Sequence, residues 1–286
     1  MNSLDRAAVL SEAMPYIQKY NKKTVVIKYG GAAMESPELK EAVISDIILL
    51  SLVGVRVVLV HGGGPEINAL LKKMGKEPKF VGGLRYTDQE TMDAVQMTLC
   101  GKVGKDIVST IARQGGRAVS LSGLDGGLFR AVRMPGELDY GLVGEIKAVD
   151  PSAVNMALEH GYIPVVSTVA SGMDTDSSYN INADTAAAEL AAAMKAEKLI
   201  LLTDVPGLLR DTSDPDSLIP LLKISDVPLL SKSGVLSKGM IPKVDCCVTA
   251  IRRGVASVSI IDGRMPHSVL VEMLTDAGVG TMIIGG

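Results

Sequence analysis

The chain has 286 residues, 47% of them apolar and 21% charged, with a net charge of −3 and no tryptophan. It is long enough for a sizeable core in one large or two modest domains, and no disordered or low-complexity tract interrupts it. The slight acidity, the missing basic stripe and the few aromatics argue against nucleic acid as a partner. Runs such as IILLSLVGV, cut by Arg56, are too short to cross a bilayer, so no membrane is expected either.

In chain order, SLDRAAVLSEAMPYIQKY has helical apolar spacing at Ala8, Leu10, Met14 and Ile17. A helix over residues 1–22 belongs to no strand–helix unit, and suits contacts with another subunit or simple packing. KTVVIKYGG reads as a buried strand ending in glycines. SPELKEAVISDIILLSLVG predicts a helix capped by Ser36 with Pro37 at its first position. VRVVLVHGGG predicts the next strand and PEINALLKKM the next helix. Thr87 and Glu90 have capping-box spacing at the start of TDQETMDAVQMTL. RAVSLSG predicts a strand, LFRAVRM and GEIKAVD an inserted hairpin, IPVVSTVA a buried strand and ADTAAAELAAAMK an alanine-rich helix. KLILLTDV, VASVSIID and VGTMIIGG are the remaining strands, with IPKVDCCVTAIRRG and HSVLVEMLT as helices. Apolar strands alternating with helices predict an α/β fold, an open and mostly parallel sheet sandwiched by helices. A closed barrel of eight units fits the length too, but the inserted hairpin and uneven spacing favour the open sheet.

Cys100, Cys246 and Cys247 show neither disulfide nor metal-ligand spacing, which suits a reduced, cytoplasmic protein with no metal site of its own. The start MNSLDRAAVL has an early acid and no basic lead into an apolar stretch, unlike a signal peptide.

Two glycine turns, Gly30–Gly31 and Gly62–Gly63–Gly64, follow the first two strands. Bare backbone at a strand's carboxyl end lets N–H groups approach an anion, and the next helix N-terminus adds a positive dipole. The plainer alternative is a pair of tight turns. No G-x-G-x-x-G and no GK followed by Ser or Thr occurs, which excludes the dinucleotide fingerprint and the P-loop. HGGG suits a hydrolase oxyanion hole, but no G-x-S-x-G exists; VLSKG around Ser237 lacks the first glycine.

Lys28 stands in an apolar strand, where an ammonium is costly unless it snorkels or meets an anion. Arg85, after two further glycines, is a surface arginine or a clamp for a carboxylate or phosphate. Asn180, Asn182 and Asp184 precede an apolar helix, and Asn182 or Asp184 suits an N-cap. Lys243 opens a Pro-started helix and reads alone as solvated. His61 suits a turn. Leu201 to Leu209, LLTDVPGLL, is a simple turn or a nucleotide-lining strand end.

Together VIKYGG, HGGGPEIN, GGLRYTD, NINADTAA, LLTDVPGLL and KGMIPKV stand in the order found in the amino acid kinase family, and the set most resembles its N-acetylglutamate kinases. The resemblance runs from about Thr24 to the C-terminus. The N-terminal segment and HSVLVEMLTDAGVGTMI further resemble the arginine-inhibited, hexameric branch, a trimer of dimers.

The resemblance implies a kinase domain over 23–286, with an acyl-acceptor lobe over about 23–170 and a nucleotide lobe over about 171–286. It implies transfer of the γ-phosphoryl group of ATP to the side-chain carboxylate of N-acetyl-L-glutamate. A carboxylate is ionised at neutral pH and needs no general base; the site must instead supply positive charge and align two anions. Carried over by resemblance, Lys28 contacts the transferring phosphoryl group and Lys243 neutralises charge on the leaving side. Asp184 orients both lysines. Backbone at Gly30, Gly31, Gly62 and Gly63 holds phosphoryl oxygens. Gly63, Gly64, Arg85 and Asn180 bind the acceptor, with Arg85 on its α-carboxylate. Thr203, Asp204, Gly207, Gly239 and Met240 line the ATP site, and Mg2+ rides on the phosphates. Tyr16, His267, Glu272 and Gly280 are implied as arginine contacts, and a nitrogen-signalling regulator binds some members. Rivals are kinases of glutamate, aspartate, carbamate or nucleoside monophosphates, and a non-catalytic sensor. The missing C-terminal regulatory module, YGG where glutamate kinases tend to have Gly-Ser, and the retention of both lysines with Asp184 speak against them.

Overall fold

A computed structural model describes residues 11–173, 175–236 and 239–286. Ala8, Leu10 and Ser237 therefore lie outside the described residues. Of the expected N-terminal helix, α1 (Met14–Tyr20) is seen, with Tyr20 buried. The first strand–helix units are β1 (Thr24–Tyr29), the short α2 (Ala32–Glu35), α3 (Pro37–Leu52), β2 (Arg56–His61) and α4 (Gly64–Lys73). Ser36 caps α3 as expected, its Oγ accepting from Leu39 N. A ribbon of β3 (Phe80–Val81) and β4 (Leu84–Arg85) leads to α5 (Gln89–Gln96). The capping-box reading fails here. Asp88 is the N-cap, accepting from Thr91 N at 2.9 Å, while Thr87 turns its hydroxyl to the Arg85 carbonyl at 2.8 Å. A carboxylate is the stronger acceptor for a helix donor, and it displaces the hydroxyl by one position.

A π-helical turn, Met97–Val103, joins α5 to α6 (Gly104–Arg113). Then come β5 (Ala118–Ser122), β6 (Phe129–Arg133), β7 (Gly144–Val149), α7 (Ser152–Glu159), β8 (Ile163–Ser167), β9 (Val169–Gly172), β10 (Ser178–Asn180) and α8 (Ala183–Ala193). The chain ends with β11 (Lys198–Thr203), β12 (Leu221–Lys223), α9 (Val227–Lys232), α10 (Ile241–Arg252), β13 (Ser257–Asp262), α11 (Ser268–Leu274) and β14 (Gly280–Ile284).

Eight strands form one open sheet in the order β12-β14-β13-β11-β1-β2-β8-β5, parallel throughout except where β14 meets β13. The barrel alternative is thereby excluded. A strand's side chains alternate between faces. On β1, Val25, Ile27 and Tyr29 enter a core with Ile44 and Ile47 of α3, Ile107 of α6 and Met273 of α11. Val26, with Val58, Val60, Leu199 and Leu201, faces the opposite core under α8 and α10. The alanines of α8 matter for distance. Ala186, Ala187 and Ala191 are fully buried, and such small side chains let the helix lie close over β1, β2 and β11.

The expected hairpin forms as antiparallel β6–β7, but it joins β9 and β10 in a second sheet ordered β10-β9-β6-β7. The segment IPVVSTVA is accordingly two strands rather than one. It breaks at Thr168, with β8 in the large sheet and β9 in the small. The small sheet packs Phe129, Ala131, Ile146 and Tyr179 into the α8 core. Ala187→Leu should lower stability by about 1–3 kcal/mol through overpacking at the helix–sheet contact, measured by urea denaturation. An unchanged midpoint would mean the contact is loose.

Candidate active site

Residues Lys28 and Val26 share one face of β1, so the ammonium of Lys28 is directed under α8. Its side chain is only 12% exposed, and Nζ lies 3.0 Å from Asp184 Oδ1. Asp184 stands in the first turn of α8, where the helix dipole favours a carboxylate. Capping falls to Asn182, whose Oδ1 accepts from Asp184 N at 2.9 Å and Thr185 N at 3.1 Å. Both Asp184 oxygens are thus left for lysines, and Oδ2 accepts from Lys243 Nζ at 2.6 Å. Lys243 lies in the first turn of α10, where the dipole opposes a cation. The Asp184 carboxylate offsets that repulsion. Burial acts to raise the Asp184 pKa, but the charges of Lys28 and Lys243 outweigh it and hold it below the ordinary value.

Tyr29 and His61 are register partners, so the turns after β1 and β2 emerge side by side. A Cβ on Gly30 would lie 3.4 Å from Lys28 Nζ, so the bare glycine keeps space beside the ammonium. Gly31 has φ of 63°, a conformation glycine adopts freely. The N–H groups of Gly30, Gly31 and Gly63 donate to no acceptor among the described residues. The Gly62 N–H, by contrast, donates to the Tyr29 carbonyl at 3.1 Å.

Beside these turns lies a pocket of about 230 Å³ whose walls include Gly62, Gly63, Gly64, Arg85, Asn180 and Ala183. All four expected acceptor-binding residues line it. Arg85 rests its guanidinium over the Phe80 ring, 4.9 Å from the centroid, and Nη2 donates to the Gly64 carbonyl at 3.3 Å. Its buried Nη1 has no partner. Burial lowers the Arg85 pKa, but a guanidinium stays cationic in proteins. The pocket draws Asn180 to Ala183 from beyond residue 170, so the proposed lobes share this wall. Thr168 also lines it, unforeseen because the strand break that places it there is a tertiary event.

A second cleft, about 260 Å³, lies between Asp204–Leu209 and Met240, the residue before α10, with Gly207 and Arg264 also on its walls. Thr203 and Gly239 do not line it. Thr203 is buried beneath, its hydroxyl 2.9 Å from the Val205 carbonyl and 3.2 Å from that of Ile261, bracing the turn. Arg264 escaped sequence reasoning; its one signal is a position just beyond the carboxyl end of β13. Two hydrogen bonds to Asp262, at 2.9 and 2.8 Å, hold its guanidinium.

Of the expected effector residues, Tyr16, Glu272 and Gly280 line a third cleft of about 340 Å³, with Lys198 and Asp276. Glu272 is engaged there, by Lys198 at 2.8 Å and Ser259 at 2.7 Å. Burial acts to raise its pKa, and Lys198 outweighs that. A Cβ on Gly280 would strike the Ile260 carbonyl oxygen, so the β13–β14 approach itself demands glycine. His267 stands apart from this lining. It precedes α11 with φ of 58°, and its Nδ1 lies 2.6 Å from the buried Asp46 carboxylate. Among the described residues, no three His, Cys, Asp or Glu side chains converge on a metal site, and no helix is long and apolar enough to cross a membrane.

The model of the amino acid kinase family matches residues 23–262. The chain belongs to the amino acid kinase family, and it is a kinase. Within that family it is 53% identical over 296 residues to an acetylglutamate kinase of Heliobacterium modesticaldum, covering 99% of both chains. It is 56% identical to an acetylglutamate kinase of Desulfitobacterium hafniense, covering 98% of this chain and 97% of that one. Among solved structures, N-acetylglutamate synthase from Neisseria gonorrhoeae, complexed with coenzyme A and N-acetyl-glutamate, superposes with a TM-score of 0.84 at 28% identity. That match covers 97% of this chain, which spans only 63% of the synthase.

His61 gives this amino acid kinase an acid liability. It is fully buried at the end of β2, with Nδ1 2.9 Å from the Gly62 carbonyl and Nε2 unpartnered. Burial outweighs that backbone contact and lowers its pKa from 6.5 to about 4. Below pH 6.5 the unfolded chain takes up a proton that the folded chain refuses, so His61's contribution is present above 6.5 and is lost as pH falls toward 4. Between pH 7 and 4.5 the parent should lose about 2 kcal/mol more unfolding free energy than His61→Gln, read by denaturant titration at both pH values. Equal losses would show that His61 does not drive the pH dependence.

Proposed function

We propose that this kinase transfers the γ-phosphoryl group of ATP to the side-chain carboxylate of N-acetyl-L-glutamate. The products are N-acetyl-L-glutamyl phosphate and ADP, in arginine biosynthesis. The observation that carries the reading is one carboxylate, Asp184, bridging Lys28 and Lys243 at 3.0 and 2.6 Å. Ala183, next to Asp184, lines the pocket beside the glycine turns, and Met240, shortly before Lys243, lines the other cleft. The acetylglutamate kinases that resemble the chain over its whole length support the choice of acceptor.

The acceptor sits in the first pocket with its α-carboxylate on the unpartnered Nη1 of Arg85 and its side chain directed at Gly30 and Gly31. A carboxylate oxygen attacks the γ-phosphorus in line, and the bond to the β-phosphate oxygen breaks as ADP leaves. No proton need be removed. Lys28 and the free N–H groups of Gly30, Gly31 and Gly63 stabilise the oxygens of the transferring group. Lys243 meets the charge that grows on the departing β-phosphate. Asp184 touches neither substrate in this scheme; it fixes both ammonium groups in advance. The second cleft holds the nucleotide, against Asp204, Gly207 and Met240. Magnesium arrives on the nucleotide phosphates with most of its water, as a hard, reluctantly dehydrated cation does.

The third cleft extends the reading to feedback. We assign it to arginine, with Glu272 and Asp276 as partners for the guanidinium, and leave His267 outside it. A hexamer in which α1 makes subunit contacts, a cytoplasmic location and a nitrogen-signalling regulator remain part of this proposal by resemblance alone.

The test is acyl-phosphate formation trapped as the hydroxamate, with Mg-ATP and N-acetylglutamate, glutamate or aspartate, with and without arginine. Product from the acetylated substrate alone is expected, reduced by arginine. Product from free glutamate or aspartate instead would overturn the acceptor. Lys28→Ala should lower kcat by about 100- to 1,000-fold with little change in melting temperature; a variant keeping most of its rate would remove Lys28 from catalysis. Arg85→Lys should raise the KM for the acceptor and leave the KM for ATP in place, because a bidentate fork is lost. Identical acceptor KM values would place the carboxylate elsewhere.

A further inference from the structure

Thr87 is fully buried, so no solvent can serve its hydroxyl, and that hydroxyl has two protein neighbours. One is the Arg85 carbonyl oxygen at 2.8 Å, which can only accept. The other is the Asn180 side-chain amide at 3.2 Å. A hydroxyl has a single proton, and the carbonyl takes it. The Asn180 amide must therefore present its NH2 to Thr87, since two acceptors facing each other would repel. The choice between the two ends of the amide is thus decided by the carbonyl of the very residue whose guanidinium lines the pocket. Asn180 is left with Oδ1 free of any partner among the described residues, on the wall of the Arg85 pocket.

Backbone contacts make this arrangement stiff. Thr87 N donates to the Tyr140 carbonyl at 3.0 Å, and the Thr87 carbonyl accepts from Leu142 N. Asn180 N donates back to the Leu142 carbonyl at 2.9 Å. Both ends of the relay are therefore strapped through their backbones to one segment between β6 and β7, which fixes where the two side chains start, and the hydroxyl then sets the amide's orientation.

We propose that Thr87 is a positioning residue that locks the Asn180 amide with its carbonyl toward the acceptor, so that the pocket selects a ligand bearing an N–H donor near the carboxylate held by Arg85. This rests on the acceptor reading above and deepens it. An N-acylated amino acid has that donor on its α-carbon; the corresponding O-acyl hydroxy acid has an oxygen there and sets two acceptors face to face. Truncating the hydroxyl frees the amide to turn over and removes the discrimination.

The experiment compares N-acetylglutamate with 2-acetoxyglutarate, its ester analogue, in the hydroxamate assay. The parent should show the lower KM for the amide. Thr87→Val should raise the KM for the amide about tenfold, the scale of one hydrogen bond. It should leave the KM for the ester within about twofold, with kcat little changed. Thr87→Ser, which keeps the hydroxyl, should restore the parent preference. Equal increases in both KM values would mean general loosening of the pocket and would overturn the proposal, as would an unchanged ratio. If Thr87→Val fails to fold by circular dichroism, Thr87→Ala provides the same comparison. A parent inactive on N-acetylglutamate would overturn the acceptor reading and this inference with it; an active parent with an unmoved ratio overturns this inference alone.

Discussion

The Asp184 carboxylate sits between two ammonium groups from opposite ends of the chain, and much of the architecture serves to keep it there. Two partly buried lysines without an anion would repel each other and lose part of their hydration. One carboxylate, itself buried, is tolerable because both cations face it. The charges interlock: removing the centre leaves two cations uncompensated, and removing either lysine leaves a lopsided pair. This constraint explains why Asn182 rather than Asp184 caps α8, since a capping carboxylate would have spent an oxygen on backbone. It also explains the alanine face of the same helix, which brings Asp184 down to the level of a strand residue.

The parallel sheet converts that local geometry into a working edge. In-register pairing of β1 with β2 sets the two glycine turns abreast, and β11 and β13 on the other side of β1 carry the turns of the second cleft. Ligands of open α/β sheets gather at the carboxyl ends of strands for this reason. The small sheet then walls off one end. By breaking at Thr168, a single apolar run serves both sheets, and Asn180 is delivered opposite Arg85.

Periodicity made the strands and helices of the large sheet readable, because a buried parallel strand is a short apolar run and little else. The Ser36 cap and the β6–β7 hairpin were readable from local chemistry. The Asp88 cap was not, because Thr87 offers the capping-box spacing at the same helix end and the advantage of Asp88 is electrostatic rather than one of spacing. Lys28 betrayed itself as an ammonium in an apolar strand. Lys243 and Asp184 did not, since a first-turn lysine and a pre-helix aspartate have ordinary explanations, and only the resemblance linked them. Thr168, Arg264 and the burial of His61 depend on contacts made across the fold, which no local window contains. That the Gly62 N–H bonds the Tyr29 carbonyl was equally hidden, because glycine content does not reveal which donors the strand ends use.

The placement of β1 has a consequence for how the chain is made. Its two neighbours in the sheet are β2, which follows almost at once, and β11, which begins at Lys198. While the intervening chain emerges from the ribosome, one edge of a mostly apolar strand stays unpaired. An open edge of that kind is a template for mispairing, and contacts this distant in sequence are slow to close. The step that shields the edge is the arrival of β11, and it follows directly on α8, the helix that carries Asp184. Shielding of β1 and meeting of the Lys28–Asp184 pair therefore fall close together in biosynthesis, while Lys243 and the last three strands follow later. Chains that stop before α8 lack both Asp184 and the strand that covers this edge.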